Sequence, residues 1–407
     1  MTTIDITPRT HFAGTASEAE LAHWDGVAER VAQTLAADVL ERDRRNAQPF
    51  AEAALLQESG LVPLLDPAEY GGAGGHWESA FRAVRTIAGV DASIAQLLGY
   101  HYVNEANIAL VAPAAERERW FRATVEGRWV WGDSVNPVDP NLVLTDGPEG
   151  LRLNGFKRFS TGSGVGEALL VNAIVDGGEH DGRLAYLVLP YGHPGVELVD
   201  DWDNLGQRLS ASNTVRYHDV AVDADLVLGY GTDEPIQSFV TPAIQLVFGN
   251  LYLGIAQGAL AQARALTIAR PNSWFLSGVD TYRDDPFVQR LYGELVSKVA
   301  AVEALADRVD RDFDRAISRG DAVTADDRAE LAIRVAQLKV VASETAVDVA
   351  NRVFEATGSS STASGVGLDL HWRNIRTHSL HDPVDYKKLE VGANFLTGAV
   401  QPVSLYT

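Results

Sequence analysis

The chain has 407 residues, 46% hydrophobic and 22% charged, an ordinary balance for a soluble globular protein of two or three structural units around a large shared core. A formal net charge of −21 with no Lys/Arg cluster excludes nucleic acid as a partner, and the absence of cysteine excludes disulfides, thiolate metal sites and cysteine nucleophiles. The N-terminus lacks a basic start followed by an apolar run, and no window approaches the ~18 consecutive apolar residues of a membrane span, so the chain reads as cytoplasmic with no membrane partner.

Taken in order, Val27, Val31, Leu35 and Val39 recur every four residues, the stripe of an amphipathic helix ending in the charged run that closes at Arg45. Residues 51–59 read as a second helix with Gly60 as its C-cap, and the glycine-rich stretch 69–75 reads as a tight turn between helices. That stretch lacks the Lys-Ser/Thr of a phosphate loop. Residues 77–91 and 93–111 continue the helical pattern, the second carrying Tyr100, His101, Tyr102 and Asn104. From Trp129 to about Leu228 the period changes: short runs with period-two alternation or β-branched enrichment at 151–153, 168–175, 184–189 and 214–217 are punctuated by Gly, Pro, Asn and Asp, which predicts antiparallel strands. Long helical stripes resume over 244–269, 286–319 and 324–357, with Thr324 and Asp327 at near capping-box spacing. The expected order is a helical domain (1–124), a β-domain (125–232) and a C-terminal helical bundle (233–407).

The densest chemistry lies near the end. His378, His381 and Asp382 stand three and one residues apart before Pro383. An imidazole moves protons at neutral pH, and an adjacent carboxylate can fix its tautomer. The same residues could equally form a capping loop, and His-x-x-His with Asp382 supplies too few ligands for a recognisable metal centre, so no metal is expected.

These residues, in this order, carry a resemblance. Gly155-Phe-Lys-Arg-Phe-Ser-Thr-Gly162, the stretch from Leu205 to Val215 and His218-Asp-Val-Ala-Val222 resemble the acyl-CoA dehydrogenase fold: α+β, with an N-terminal helical domain, a central antiparallel β-domain and a C-terminal four-helix bundle. Gly99-Tyr-His101, Asp201-Trp-Asp-Asn-Leu-Gly206 and Trp372-Arg-Asn-Ile-Arg-Thr-His-Ser-Leu-His-Asp-Pro383 resemble the dibenzothiophene monooxygenase type of flavin-dependent oxygenase within that superfamily. Where dehydrogenases of this fold commonly carry Tyr-Glu-Gly-Thr, with a carboxylate base, this chain has His381 and Asp382.

The resemblance implies a two-component monooxygenase. Reduced flavin arrives from a separate NAD(P)H-dependent flavin reductase and reacts with O2 to give a C4a-hydroperoxide, which oxygenates an aromatic or heteroaromatic small molecule of the indole, carbazole or thiophene kind. It also implies a homotetramer. No Gly-x-Gly-x-x-Gly nicotinamide site is visible, in keeping with an outside reductant. By the same resemblance, Asp133, Ser134 and Val135 line the flavin pyrimidine edge chiefly through backbone groups. Phe159, Ser160 and Thr161 follow, the aromatic ring covering the flavin and the threonine hydroxyl facing N5, with Trp202 and Ser212 nearby. Arg270 falls where an arginine binds flavin phosphate. Serines between Gly358 and Thr362 stand where the dibenzothiophene type has another arginine, leaving FMN or FAD open. Tyr100, His101 and Asn104 resemble substrate-pocket positions. His381, Asp382, His378 and Thr161 form the expected catalytic set. Two other readings remain, an acyl-CoA dehydrogenase or oxidase with a displaced base and a non-catalytic oligomeric scaffold.

Overall fold

The computed structural model describes residues 11–136, 139, 141–404 and 406–407; Pro137, which ends the run Trp131-Gly-Asp-Ser-Val-Asn-Pro137 that holds the expected flavin-edge residues Asp133, Ser134 and Val135, lies outside them. Helices α1 (Glu18–Ala36), α2 (Val39–Arg45), α3 (Phe50–Ser59), α4 (Trp77–Ala88), α5 (Ala92–Glu105), α6 (Asn107–Leu110) and α7 (Ala114–Gly127) come first. Strands β1 (Trp131–Ser134), β2 (Val143–Gly147), β3 (Gly150–Ser160), β4 (Ala168–Asp176), β5 (Leu184–Pro190), β6 (Val196–Leu198), β7 (Asn213–Val222) and β8 (Val227–Tyr230) follow. Helices α8 (Val240–Ala269), α9 (Pro286–Ile317), α10 (Ala325–Thr357), α11 (Asp369–His378) and α12 (Val384–Thr397) complete the chain.

The single helix expected through Val39 is two. Arg42 is the cause: its buried guanidinium donates to the Leu35 carbonyl freed at the end of α1 and pairs with Asp91 at 2.8 Å. Asp91 in turn caps α5 by accepting from the backbone N–H groups of Ser93 and Ile94. One buried ion pair therefore sets both the break in the first helix and the start of α5. At α10 the capping box of Thr324 and Asp327 is present in full.

The strands form one sheet in the order β6-β7-β3-β2-β4-β5-β8, with β1 beside β4. Its hairpins are antiparallel, but β1 and β2 both run parallel to β4. Alternation carries no strand direction, which is why the sequence could not separate these two. Residues 131–134 form a strand paired along β4, and the close approach of Leu169 and Gly162 leaves room only for glycine at position 132.

The helical layers share one core and the sheet encloses a second, around Leu144, Leu153, Leu187 and Tyr217. The segment Pro235–Ala269 has a window of mean hydropathy 1.5, apolar enough to cross a membrane, but 89% of that window is buried within the protein. Small residues let α8 run close to its neighbours. A Cβ at Gly254 or Gly258 would strike the α4 backbone, and one at Gly99 would strike Val247. The Gly99 contact seats α5, and with it Tyr100, directly on α8.

Candidate active site

A cavity of about 470 Å³ opens where α5, α8, the ends of β1 and β3 and the link after α11 meet, a size suited to a small molecule. His378, the last residue of α11, and His381 line its helical side. Asp382 is not a cap, because Pro383 holds the N-cap position of α12 and no side chain bonds there. Instead Lys339 of α10 donates to Asp382 Oδ1 at 2.6 Å and to Gln245 Oε1 at 2.8 Å, while His381 Nδ1 lies 3.3 Å from the same Asp382 oxygen. Phe248 fills the space between these groups. Its ring centroid lies 4.5 Å from Lys339 Nζ and 4.7 Å from the ring centres of His378 and His381.

Burial pushes Lys339 down to about 8, against the pull of Asp382. Burial acts to raise Asp382, but the His381 hydrogen bond and the Lys339 charge outweigh it and hold the carboxyl below the usual carboxylate range. The two are therefore a charged pair at neutral pH. The two histidines differ. His378 is buried, which drives it well below the ordinary imidazole range and keeps it neutral. Its Nδ1 is 3.0 Å from the Tyr252 hydroxyl, and its Nε2 is buried without a partner among the described residues. His381 is about one-third exposed and anchored through Nδ1.

The opposite side is built from the ends of β3 and β7 and the loop before β7. Among the non-glycine residues there, Phe159 at φ 60°, Gln207 at φ 54° and Ala211 at φ 50° occupy the left-handed region. Strain of this kind persists where surrounding contacts over-determine it, and it clusters at ligand sites. Phe159 meets Trp202 edge to face at 6.2 Å, and Trp202 Nε1 donates to the Gln207 carbonyl at 2.7 Å. Gln96 donates to Thr161 Oγ1 at 3.0 Å, Thr161 and Ser212 share a hydrogen bond of 2.9 Å, and Ser210 continues the chain to Ser212 at 2.7 Å.

A flavin ring fits this wall on the structure's own terms. Gln96 Oε1 and both side-chain polar atoms of Gln207 are buried without partners among the described residues, beside two aromatic rings and the Thr161–Ser212 hydroxyls. A flat ring whose edge both donates and accepts hydrogen bonds satisfies such groups. Asp133 adds a carboxyl that burial pushes up to about 7, with the Val135 N–H and Lys157 acting the other way.

Most of the residues expected from sequence meet at this cavity: Tyr100, Asn104, Asp133, Val135, Phe159, Thr161, Trp202, Ser212, His378 and His381 line it, and Asp382 stands directly behind His381. Four depart. The Ser134 and Ser160 side chains point into the sheet, where Ser134 Oγ accepts from Tyr217 at 2.7 Å and from Ser160 at 3.4 Å, so only their backbones can serve a ligand. His101 does not line the cavity; its Nε2 lies 2.8 Å from the Val62 carbonyl and its Nδ1 accepts from the Trp131 N–H, which leaves no nitrogen for substrate. Burial pushes it down to about 4. Arg270 is also remote, stacked 4.1 Å over Tyr282 and close to Gly358.

Sequence reasoning missed Lys339, Gln96, Gln207 and Tyr406. Lys339 had a signal: it follows Val335 by four residues on a buried stripe, where a lysine must find a partner. Tyr406 had none, because the tail is held at the cavity by long-range bonds to its carbonyls, from Lys387 to Tyr406, from Thr241 to Ser404 and from Arg328 to Thr407.

Residues 17–128 match the acyl-CoA dehydrogenase N-terminal domain and residues 246–386 the acyl-CoA dehydrogenase C-terminal domain. The chain is 36% identical over 384 residues to a dibenzothiophene monooxygenase of Mycolicibacterium goodii, covering 91% of this chain and 92% of that protein. It is similar to TdsC from Paenibacillus sp. A11-2 in complex with FMN and indole, with a TM-score of 0.90, 35% identity and coverage of 95% and 100%. Methanesulfinate monooxygenase MsuC from Pseudomonas fluorescens gives a TM-score of 0.91, 34% identity and coverage of 94% and 99%.

Proposed function

Since the chain belongs to the acyl-CoA dehydrogenase family, in its branch of flavin-dependent monooxygenases related to dibenzothiophene monooxygenase, we propose that it works as the oxygenase half of a two-component system. In this reading a separate NAD(P)H-dependent reductase delivers reduced flavin, and the chain oxygenates an aromatic or heteroaromatic small molecule with O2. The observation that carries the reading is that His381, anchored on the Asp382–Lys339 pair, shares one cavity with Phe159, Thr161 and Trp202.

Bound reduced flavin supplies the oxygen chemistry; the residues do the rest. Phe159 and Trp202 cover the ring, Thr161 and Ser212 offer a hydroxyl pair at its edge, and apolar Val240, Ile244 and Leu380 limit water. His381 holds or moves the proton that substrate oxygenation requires, and Asp382 fixes its orientation. FMN is the flavin we propose, because a similar structure holds FMN.

Arg270 lies outside the cavity of its own chain, and in this reading it binds the phosphate of a flavin held by a neighbouring subunit of a homotetramer. Phe275, Phe287, Phe395 and Leu396, 78–86% exposed, supply apolar surface for such an assembly. Light scattering that finds a monomer still binding reduced flavin would remove this part of the proposal. The function itself is tested by supplying NADH, FMN and indole with and without an added flavin reductase. Oxygenated product should form only with the reductase, and steady NADH consumption by the isolated chain with free flavin would overturn the reading.

A further inference from the structure

Beyond the flavin wall, the cavity has an end formed by α5, α6 and β4. Tyr100, Val103, Asn104 and Asn107 follow the i, i+3, i+4, i+7 spacing of a single helical face, and Asn172 on β4 lies across from them, paired in register with Tyr186 on β5. The three asparagines are 3%, 0% and 4% exposed, and each keeps a polar atom without a partner among the described residues: Asn104 Nδ2, Asn107 Oδ1 and Asn172 Oδ1. The Asn107 amide cannot flip to relieve this. Its Nδ2 donates to the carbonyls of Val103 at 3.0 Å and Asn104 at 3.1 Å, which fixes Oδ1 as an acceptor. Buried amide groups are nearly always paired, so three open ones on one cavity end call for a ligand that completes them.

We infer that Asn104, Asn107 and Asn172 form a carboxamide subsite for a neutral substrate that carries an N–H or O–H donor beside an acceptor, as a lactam does. Two open carbonyl oxygens demand a donor, and the open amide nitrogen demands an acceptor. An anion such as a sulfinate is disfavoured, because no lysine or arginine among the described residues lines the cavity and the two carbonyl oxygens and the Asp133 carboxyl would repel it. A bare sulfur heterocycle leaves all three groups unpaired. The subsite governs which molecule binds; only the oxidation of that molecule rests on the proposed oxygenase function.

The test uses the FMN-loaded protein and three bicyclic probes, indolin-2-one, 1-methylindolin-2-one and benzothiophene, titrated by calorimetry into wild type, Asn107→Leu and Asn172→Val. Wild type should bind indolin-2-one roughly tenfold or more tightly than either other probe, the usual scale for leaving buried polar groups unpaired. The ratio should collapse toward one in both variants while FMN affinity is kept. Asn172→Val places a β-branched residue in a strand, so it carries the test if Asn107→Leu fails to fold. Equal binding of the three probes by wild type, as expected if only ordered water completes the amides, overturns the inference. So does an undiminished preference in a normally melting Asn172→Val. With a reductase supplied, preferential binding without oxygenation supports the subsite and counts against the oxygenase function. Oxygenation of all three probes with equal binding overturns the subsite alone.

Discussion

The two sides of the cavity hold their residues by different physics. On the sheet side, position comes from backbone: Phe159, Gln207 and Ala211 are forced into left-handed conformations, and a chain of hydroxyls and amides from Gln96 through Thr161 and Ser212 to Ser210 spans the turn. On the helical side, position comes from charge. Asp382 is pinned between Lys339 and His381, with Phe248 packed against those two, and the backbone of α11 and α12 is regular. A strained backbone presents a shaped surface to a flat ring, whereas a buried ion pair sets the direction of an imidazole. The first arrangement suits cofactor binding and the second suits proton handling.

This contrast can be broken at named residues. The largest effect is expected at Lys339. Replacing it with Met leaves Asp382 buried without its cation, which should lower stability by about 3–5 kcal/mol in urea denaturation, and the double variant Lys339→Met/Asp382→Asn should recover most of the loss. A single variant as stable as wild type would show that the pair does not hold the helical wall. Next is His381→Ala, expected to cut product per reduced flavin by about 10²-fold or more and to raise hydrogen peroxide release, with flavin binding and melting unchanged. Asp382→Asn should give a milder loss. On the sheet side, Phe159→Gly relieves a strain of about 1 kcal/mol, so it should stabilise the fold slightly while weakening flavin binding. Unchanged flavin affinity there would mean that the ring does not cover the cofactor.

The ion pair also predicts a pH dependence. Lys339 sits at about 8 in the fold against 10.5 ordinarily. Between these values the unfolded chain holds more protons than the folded one, so this group makes stability rise with pH across that window. Below pH 8 both states are protonated and the burial cost stands in full. The difference in stability between wild type and Lys339→Met, followed from pH 8 to 10.5, should therefore increase; a flat difference would contradict the burial of that charge.

The parts of the molecule legible in sequence follow the same division. The long helices, the Gly60 cap and the Thr324 box are local patterns, and the residues themselves announced them. The helical wall was half legible: His378, His381 and Asp382 stand within five residues, but Lys339 lies 43 positions before Asp382 and is joined to it only by the packing of α10. On the sheet side, Phe159, Thr161, Trp202 and Ser212 became readable through resemblance to a family, since period-two alternation says nothing about a positive φ. His101 shows the opposite failure. Its place beside Tyr100 made it look like a pocket residue, yet one step along a helix turns a side chain by about 100°, which points His101 at the backbone of Val62 and Trp131.

The most direct test of the central claim is a single turnover in which protein carrying chemically reduced FMN is mixed with ¹⁸O2 and indole or indolin-2-one, and the products are weighed by mass spectrometry. The account predicts one labelled oxygen atom in the organic product from wild type and near-complete diversion to hydrogen peroxide in His381→Ala. Wild-type protein that binds FMN and probe yet returns all the label as hydrogen peroxide would contradict it.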